Sequence, residues 1–405
     1  MLKKIIILLF LALISGCVSE ETFFQEINSE RDYNNLINLM SDKELVLLGE
    51  STHGTQEYYE IRSLISKKLI ENHDFNFIAV EGDWHDIYKI NLYIKGLSDK
   101  NNAKEVLKTF NRWPTWMWSN KEIELLAEWL KEYNEKLPLE EKISFYGFDV
   151  YGVENSIKVI ENELDIKYEC LSIFQNDFSL YINYLSINDP CNQEAEEIYL
   201  LIKSNPFNLN DKELFYFKQN AFVVKNAEIH YRAMIDNRLS SWNERVLHMH
   251  DTINKLHQKK GKGIIWAHNT HVGDARATEM LFSNNINIGQ LFREQNKNSF
   301  ILGFGTYKGE VLAGRYWEAD MEKMIIPEAN INSYEQILKN KNFDKVIIYL
   351  NQNLPYELST INNNRAIGVV YNPENEAGNY VRTNLKKRYD AFIFIKETNA
   401  LKLLT

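Results

Sequence analysis

Residues 44–62 read ELVLLGESTHGTQEYYEIR, a run that changes from the pattern of a strand to that of a helix. The apolar residues 45–49 predict a buried strand, and Gln56–Asn72 predicts an amphipathic helix. A carboxylate and an imidazole, Glu50 and His53, lie at the junction between them. Because ligands of open α/β sheets bind beyond the carboxyl ends of the strands, this junction is a candidate reaction centre.

The predicted helix leads from this first strand to a second one at residues 77–80. Thr55 stands at the N-cap position, where a hydroxyl oxygen can accept from a free backbone N–H. One face of the helix carries an apolar stripe made of Ile61, Leu64, Ile65 and Leu69. The succession of strand, helix and strand predicts a βαβ unit with a right-handed crossover.

Short apolar runs of this kind recur along the chain, separated by long amphipathic stretches. Most are continuously apolar rather than alternating, which is typical of strands that are covered on both faces. We therefore predict an α/β fold in which a central parallel or mixed sheet lies between helical layers, giving three layers. The remaining predicted strands are residues 143–148, 263–267, 300–305, 345–350, 366–371 and 391–395.

Residues from about 153 to 260 differ from the rest in composition. Tyr, Phe, Asn and charged residues dominate there, the periodicity is helical, and no clear strand is visible. We expect an all-helical insertion, with residues 220–251 forming one long helix, inside a single domain of residues 17–405. The chain of 405 residues is 44% hydrophobic, which is enough for one large core.

The first 16 residues have the features of a signal peptide. Lys3 and Lys4 precede ten apolar residues, 5–14, a run too short to span a bilayer with these flanks. The run ends in Ile-Ser-Gly-Cys, which resembles the lipobox of bacterial lipoproteins. We therefore expect lipidation at Cys17 and an exported protein held at the membrane of the cell envelope by its lipid anchor. The alternative is an ordinary secretory signal with a chance cysteine.

Charge and cysteine content narrow the partners and the compartment. The formal net charge is −10 and no basic run stands out, so nucleic acid is not an expected partner. Cys170 and Cys191 either form one disulfide, as exported proteins permit, or remain two thiols. The sequence leaves both options open because pairing depends on a distance in the fold.

Ionisable side chains follow four of the predicted strands. Each has an ordinary explanation on its own, such as a helix cap, a turn residue or a structural histidine. Together they favour a functional site, because such groups are costly to bury without a partner or a purpose. In chain order they are Glu50 with His53, Glu81, Asp149, and His268 with His271.

The chemistry that this cluster suits is hydrolysis. A neutral histidine, with an ordinary pKa of about 6.5, accepts a proton from water, and a carboxylate orients it. A second histidine or an arginine can stabilise the oxyanion. Catalysis by a Ser/His/Asp triad is less favoured, since the chain has no G-x-S-x-G elbow. A divalent metal held by two histidines and two or three carboxylates stays an alternative, so no cofactor is firmly predicted.

An aromatic stretch, NRWPTWMW at residues 111–118, completes the predicted site. Pro114 interrupts any helix here, so the stretch is expected to form a loop. Loop aromatics commonly line sites for large apolar ligands, although some of these side chains are expected in the core. We therefore predict that Trp113, Trp116 and Trp118 bind substrate, together with Asp149 and His271.

Six long stretches of the chain resemble the erythromycin esterase family, and the resemblance runs from about residue 45 to residue 398. They are LLGESTHGTQEYYEIR, FIAVEGDW, RWPTWMWSNKEIELLAEWL, ISFYGFDVYG, WAHNTHVGDARATEM and ILGFGTYKG. The resemblance implies an α/β fold with a deep cleft. It also implies that an activated water hydrolyses a macrolide lactone without a covalent acyl intermediate.

The resemblance also implies roles for single residues. His53 resembles the general base that activates water, and Glu50 and Glu81 the carboxylates that position and tune it. Arg62 matches the active-site arginine of the family. His268 matches its second essential histidine, an electrophile or acid, and His271 belongs to the same motif.

One departure from the family pattern concerns residues 242–249, WNERVLHM. The expected pattern is Trp-Asn-x-Arg-Asp-Arg-His-Met, so Val246 stands in place of an acidic residue and Leu247 in place of a basic residue.

Two other functions remain open. A metal- or haem-binding envelope lipoprotein would use the same sheet edge without hydrolysis, and an esterase of envelope polysaccharides would differ only in substrate.

Overall fold

The computed structural model describes residues 23–404 except 168, 173–190 and 237. The predicted signal peptide and Cys17 lie outside the described residues, and the anchor stays a prediction. Among the described helices, none combines the length and the apolar character that a bilayer span requires.

The centre of the fold is a nine-stranded mixed sheet, with a separate two-stranded sheet made of β9 and β10. Its strand order is β1-β8-β11-β6-β2-β5-β3-β4, with β7 paired to β6. The six strands from β11 to β4 run parallel, whereas β8, β1 and β7 join antiparallel to their neighbours. The strands are β1 Phe24–Glu26, β2 Leu45–Leu48, β3 Phe77–Asp83, β4 Ser144–Asp149, β5 Gly263–Trp266, β6 Ser299–Gly314, β7 Met321–Ile326, β8 Lys345–Tyr349, β9 Ile361–Arg365, β10 Tyr380–Asn384 and β11 Ala391–Thr398.

Helices cover both faces of the sheet, which confirms the predicted α/β fold with three layers. The α-helices are α1 Asn34–Met40, α2 Gln56–Asn72, α3 Trp84–Ile94, α4 Ala103–Leu107, α5 Lys121–Glu135, α6 Val153–Leu164, α7 Glu169–Ser172, α8 Asn192–Ser204, α9 Asp211–Asp236, α10 Arg238–Lys260, α11 Asn269–Val272, α12 Ile288–Glu294, α13 Tyr334–Asn340, α14 Tyr356–Ser359 and α15 Leu385–Arg388. The predicted helical insertion is confirmed for the described residues between 153 and 260, which form α6–α10, whereas residues 168, 173–190 and 237 lie outside the described residues.

The side chains of β2 point alternately to two faces of the sheet, which explains why the predicted strands are continuously apolar in sequence. Val46 and Leu48 pack into one core cluster, with residues of α1, α2 and α5. Leu45 and Leu47 pack into a second cluster on the opposite face, with residues of α10, α12 and α13. Both faces of the strand are therefore buried, and every position of the strand is apolar.

The helix after the first strand begins and ends as predicted, with bounds Gln56–Asn72. Ile61, Ile65 and Leu69 are buried, and Leu64 is half-buried. Thr55 occupies the N-cap position, but its hydroxyl contacts the hydroxyl of Thr52 and does not cap a backbone N–H.

Two predicted elements are wrong. Residues 220–251 do not form one helix, because α9 ends at Asp236 and α10 begins at Arg238, and the two helices pack antiparallel. The side-chain amide of Gln219 donates to Thr252 Oγ1 across this helical hairpin, at 2.9 Å. No Pro or Gly marks the reversal in the sequence, so the helical period continues through it.

Residues 366–371 are a loop rather than a strand, joined to the sheet by isolated bridges. The backbone N–H of Ile367 donates to the carbonyl of Ser51 at 2.8 Å, which holds the loop against the end of β2. The neighbouring strands β9 and β10, INNNR and YVRTN, were missed because they are polar and form only a small separate sheet.

Cys170 and Cys191 form a disulfide, which decides between the two options left open by the sequence. Their Cα atoms are 5.6 Å apart, and the bond links α7 to the residue before α8. The bond closes a segment of the helical insertion across a sequence separation of 21 residues.

Replacing both cysteines, Cys170→Ser with Cys191→Ser, should lower the free energy of unfolding by about 3 kcal/mol, because the unfolded chain gains the entropy that a cross-link of this span removes. Denaturant unfolding with and without reductant measures the effect. Reductant should destabilise the wild-type protein and leave the double variant unchanged, and a wild-type protein insensitive to reductant would contradict the prediction.

Candidate active site

Four neighbouring strands, β2, β5, β3 and β4, deliver the predicted site residues to one edge of the sheet. The edge opens into a cleft of about 370 Å³, within the size range of small-molecule sites. The cleft is lined by predicted residues from all four strand ends, namely His53, Glu81, Asp149, His268 and His271. Other walls come from the loop at 110–118, from residues 366–369 and from Trp317 of the β6–β7 hairpin.

His53 is held by a chain of buried polar contacts that begins behind the cleft. Its Nδ1 lies 2.9 Å from Glu50 Oε1, and Arg62 Nη2 donates to Glu50 Oε2 at 2.6 Å. Since the carboxylate accepts the proton on Nδ1, Nε2 is the nitrogen left to act as a base in the cleft.

The turn that carries His53 needs glycine at position 54. A Cβ on Gly54 would lie 1.9 Å from the backbone oxygen of Leu312 in β6. The Leu312 N–H and the Leu401 N–H both donate to the Gly54 carbonyl, at 3.1 and 3.0 Å. The close approach of two other chain segments therefore fixes the turn, and with it the direction of His53.

Charges around His53 favour its protonated form. Burial lowers its pKa, but the hydrogen bond to Glu50 and the negative charges of Glu81 and Glu50 outweigh that effect and hold the pKa above the ordinary value. His53 is therefore a stronger base than a free histidine, at the cost of being protonated at higher pH.

Glu81 lies at an irregularity of β3. The pairing of β3 with β4 shifts between Val80 and Asp83, so β3 has one extra residue there, as in a β-bulge. The Glu81 carboxylate accepts the backbone N–H of His268 at 2.8 Å. Burial raises the pKa of Glu81, but His271, His53 and Arg245 together hold it well below the ordinary value, so the group is charged.

His268 lines the cleft with a buried ring. Its Nδ1 accepts the backbone N–H of Thr270 at 3.3 Å and lies 2.8 Å from the Thr270 hydroxyl. Burial, and the neighbouring His53, lower the pKa of His268 well below the ordinary value, so the ring is neutral. With Nδ1 as acceptor the proton is on Nε2, which is buried and has no partner among the described residues. The His53 and His268 ring centroids are 4.9 Å apart.

An arginine without a predicted role, Arg245 of α10, links the carboxylates of the cleft. It donates from Nη2 to Glu81 Oε1 at 2.9 Å, and from Nε and Nη2 to Asp149 at 2.9 and 2.6 Å. Its guanidinium also lies over the ring of Tyr151, at 4.8 Å. Asp149 is thus a partner of Arg245, and burial of its carboxyl is offset by that charge, so its pKa is lowered.

His271 lies beside this arginine rather than beside His53. Its Nε2 is 3.3 Å from Glu81 Oε1 and 3.2 Å from Arg245 Nη1. The ring stacks on Trp242, with centroids 4.6 Å apart. The sequence signal for Arg245 is its place in the WNERVLHM motif, at a position where the chain keeps the family pattern.

The two residues that depart from the family pattern, Val246 and Leu247, lie outside the cleft. Val246 is buried in the core cluster between α10 and the sheet, and Leu247 is exposed on the outer side of the helix. Neither side chain lines the cleft.

Arg62, which the resemblance matches to the active-site arginine, lies behind the cleft rather than in its wall. Arg62 is fully buried and does not line the cleft. Its guanidinium lies between the rings of Tyr59 and Trp266, at 4.5 and 4.7 Å, and reaches the site only through Glu50. It is a positioning residue, and the cleft arginines are Arg112 and Arg245.

The three predicted substrate-binding tryptophans lie in three different places. Trp118 lines the cleft and donates from Nε1 to the Glu81 carbonyl at 3.0 Å. Trp113 lines an adjoining cavity of about 540 Å³, which shares Arg112, Tyr151 and Trp317 with the cleft. Trp116 is instead buried in the core, because the loop turns its ring away from the cleft.

The described residues of the cleft do not fit a metal site. Within the described ranges, no three His, Cys, Asp or Glu side chains are placed to share one ion. The two carboxylates of the cleft edge, Glu81 and Asp149, both pair with Arg245, whose positive charge would repel a cation.

The chain resembles known proteins over most of its length. The family model described as erythromycin esterase matches residues 70–398. The chain belongs to the erythromycin esterase family. It is a hydrolase of that family by descent, with the pair of histidines, Glu50 and Glu81 all in place at the sheet edge.

Two curated relatives, one of which is an erythromycin esterase, are distant from this chain in sequence. The chain is 24% identical to YbfO of Bacillus subtilis (strain 168) over 324 residues, covering 70% of this chain and 69% of YbfO. It is 19% identical to erythromycin esterase type II of Escherichia coli over 413 residues, covering 92% and 94%.

Solved structures share the fold over almost the whole chain. The crystal structure of a succinoglycan biosynthesis protein superposes with a TM-score of 0.74 at 20% identity, covering 95% of this chain and 96% of that chain. A mutant of the erythromycin esterase EreC in its open conformation superposes with a TM-score of 0.65 at 15% identity, covering 91% and 94%.

Proposed function

We propose that this member of the erythromycin esterase family hydrolyses a bulky ester or lactone with a water molecule activated by His53. The observation that carries the proposal is the facing pair of histidines in unlike states. His53 is a base of raised pKa, oriented through Nδ1 by Glu50, whereas His268 is a neutral ring that carries its proton on a buried Nε2.

The two histidines divide the chemistry between them. His53 Nε2 takes a proton from water, and the resulting hydroxide adds to the carbonyl carbon. His268 Nε2–H donates to the carbonyl oxygen as it becomes an oxyanion. Glu50 and Glu81 stabilise the protonated His53, and Arg62 and Arg245 hold these two carboxylates in place. No serine or cysteine nucleophile is required.

The shape of the site supports a large substrate. Beside the cleft of about 370 Å³ lies a second cavity of about 540 Å³, and the two share the side chains of Arg112, Tyr151 and Trp317. A macrolide lactone, the substrate class that the resemblance implies, and an ester on an envelope polysaccharide both exceed the cleft alone. Aromatic walls with a few polar groups suit either of them.

A hydrolysis panel tests the proposal. Purified protein is assayed against alkyl esters, aryl esters, macrolide lactones and acetylated polysaccharide, with and without chelator. We expect hydrolysis of at least one class, insensitive to chelator. A protein that is inactive on the whole panel and carries bound metal or the absorption bands of haem would support a binding lipoprotein instead.

Glu50→Gln should change the pH dependence as well as the rate. The charge of Glu50 helps to raise the pKa of His53, so without it the pKa falls and the acidic limb of the kcat/KM profile moves to lower pH. The plateau should also fall by at least about 10²-fold, because the imidazolium loses its partner. An acidic limb that stays in place would contradict the assignment.

Glu57→Gln is the matched control for Glu50→Gln. Glu57 is a buried carboxylate in the first turn of the following helix, α2, where it accepts hydrogen bonds from Asn399 and does not line the cleft. Its replacement should leave the position of the acidic limb unchanged.

Export and lipid anchoring at Cys17 are part of the same proposal. The disulfide between Cys170 and Cys191 supports an oxidising compartment outside the cytosol, where such bonds form and persist. Metabolic labelling with a radioactive fatty acid tests the anchor, and Cys17→Ala should abolish the label.

A further inference from the structure

One carboxyl group of the cleft has no part in the chemistry described so far. Asp83, the last residue of β3, follows Glu81 by two residues and lines the same cleft as His53 and His268. It is 8% exposed and lies deep enough to be shielded from bulk water. A buried carboxyl at a reaction centre is a candidate for proton transfer.

The surroundings of Asp83 hold one side of its carboxyl and leave the other free. Gly152 packs so closely that a Cβ there would lie 2.8 Å from Asp83 Oδ2. The Nε of Arg112 is 3.3 Å from the same oxygen. Oδ1 forms no hydrogen bond or ion pair with any described residue, so it is available to a ligand of the cleft.

Charged groups from several elements act on Asp83. Burial raises its pKa, and so do Asp86 of α3 and Asp149 of β4, while Arg112 and Arg245 lower it, with the result that the pKa is about 7. Asp83 in turn contributes to raising the pKa of the Tyr231 hydroxyl of α9, after the larger effect of burial. A large fraction of Asp83 therefore carries a proton at neutral pH, unlike Glu81 and Asp149.

Ester hydrolysis by activated water creates a need for such a proton. When the tetrahedral intermediate collapses, an aliphatic alcohol must leave as a strongly basic alkoxide unless an acid protonates it. His268 holds the oxyanion and His53 holds the proton taken from water. A separate acid on another wall of the cleft would let the two steps use different groups.

We propose that Asp83 is this acid, a catalytic residue that protonates the leaving alcohol; the proposal rests on the proposed hydrolase function. The bond from the carbonyl carbon to the alkoxy oxygen breaks, and its electron pair stays on that oxygen, which takes the proton of the Asp83 carboxyl. The carbonyl re-forms as the carboxylic acid. His53 then returns its proton through water to the Asp83 carboxylate, so the enzyme is restored.

Esters with different leaving groups test whether Asp83 acts as the acid. Asp83→Asn is compared with the wild-type protein on two esters of one acyl group, an alkyl ester and a 4-nitrophenyl ester. The alkyl ester should lose about 10²-fold or more in kcat/KM, since acid assistance is removed. The nitrophenyl ester should change little, because nitrophenolate leaves without a proton, and its turnover also shows that the variant is folded.

A pH profile gives a second readout that a structural role would not produce. Because Asp83 acts in its protonated form, the wild-type rate on the alkyl ester should fall as pH rises through about 7. This alkaline limb should be absent from the nitrophenyl profile and from the Asp83→Asn variant. Asp274→Asn, a buried carboxylate outside the cleft that pairs with Arg276, is the matched control and should leave both rates unchanged.

Two outcomes would overturn the role of Asp83 alone, namely an equal loss on both esters or no loss on either. A wild-type protein that hydrolyses neither ester nor any member of the wider panel would instead refute the proposed hydrolase function, and this proposal with it.

Discussion

His53→Ala is expected to lower kcat/KM for the best ester by roughly 10³-fold, close to the background reaction of water. The reason is that Glu50 orients the His53 ring through Nδ1 and the pKa of His53 is raised, so Nε2 is placed to take the proton from water. General base catalysis by a positioned histidine contributes about 10²–10⁴-fold. Initial rates over a range of substrate concentrations separate the loss in kcat from any change in KM.

The matched control is His73→Ala, at the end of α2, where the side chain lies outside the cleft and forms no side-chain hydrogen bond in the described structure. This variant should retain wild-type activity. A His53→Ala protein that keeps more than about a tenth of the wild-type kcat would remove the assigned base from the mechanism.

Arg245→Ala is expected to lower the free energy of unfolding by about 3–5 kcal/mol, the usual cost of leaving buried charges without their partner. Arg245 binds both Glu81 and Asp149, and all three side chains are largely shielded from water. Removing the guanidinium leaves two carboxylates close together with no cation between them. Denaturant unfolding at neutral pH measures the loss.

The loss should depend on pH in a defined direction. The pKa values of Glu81 and Asp149 are lowered in the folded protein, so the stability that they contribute is complete above their unfolded pKa values of about 4. It disappears as pH falls through the folded values. The difference between wild type and Arg245→Ala should therefore narrow below about pH 4.

Arg315→Ala is the control for charge removal as such. Arg315 pairs with Glu322 on the surface, where both side chains are about half exposed, so its loss should cost no more than about 1 kcal/mol. Equal effects of the two substitutions would show that the buried array around Arg245 has no special energetic role.

The predictions that succeeded concern residues whose signal lies within a few neighbours. The apolar runs and the helix Gln56–Asn72 depend on local periodicity, and the structure reproduces them. The parallel strand order then brings Glu50, His53, Glu81 and His268 together, because carboxyl ends of parallel strands share one edge.

The failures have a common cause in contacts between distant segments. Residues 366–371 are as apolar as a strand, but they meet the sheet only at isolated bridges. Trp113, Trp116 and Trp118 are alike in sequence, yet only the path of their loop sends one to the core and the others to two cavities. Composition does not encode which way a loop turns.

The amino-acid sequence alone was sufficient for the three-layer fold, the family and the edge at which the polar residues gather, because periodicity and strand direction are local properties. Which arginine serves the cleft was decided by the fold. Arg62 and Arg245 are equally charged in the sequence, but packing buries Arg62 behind Glu50 and places Arg245 between Glu81 and Asp149. The tertiary structure also decided the protonation states of His53, His268 and Asp83, since a pKa depends on burial and on charges that only folding brings near.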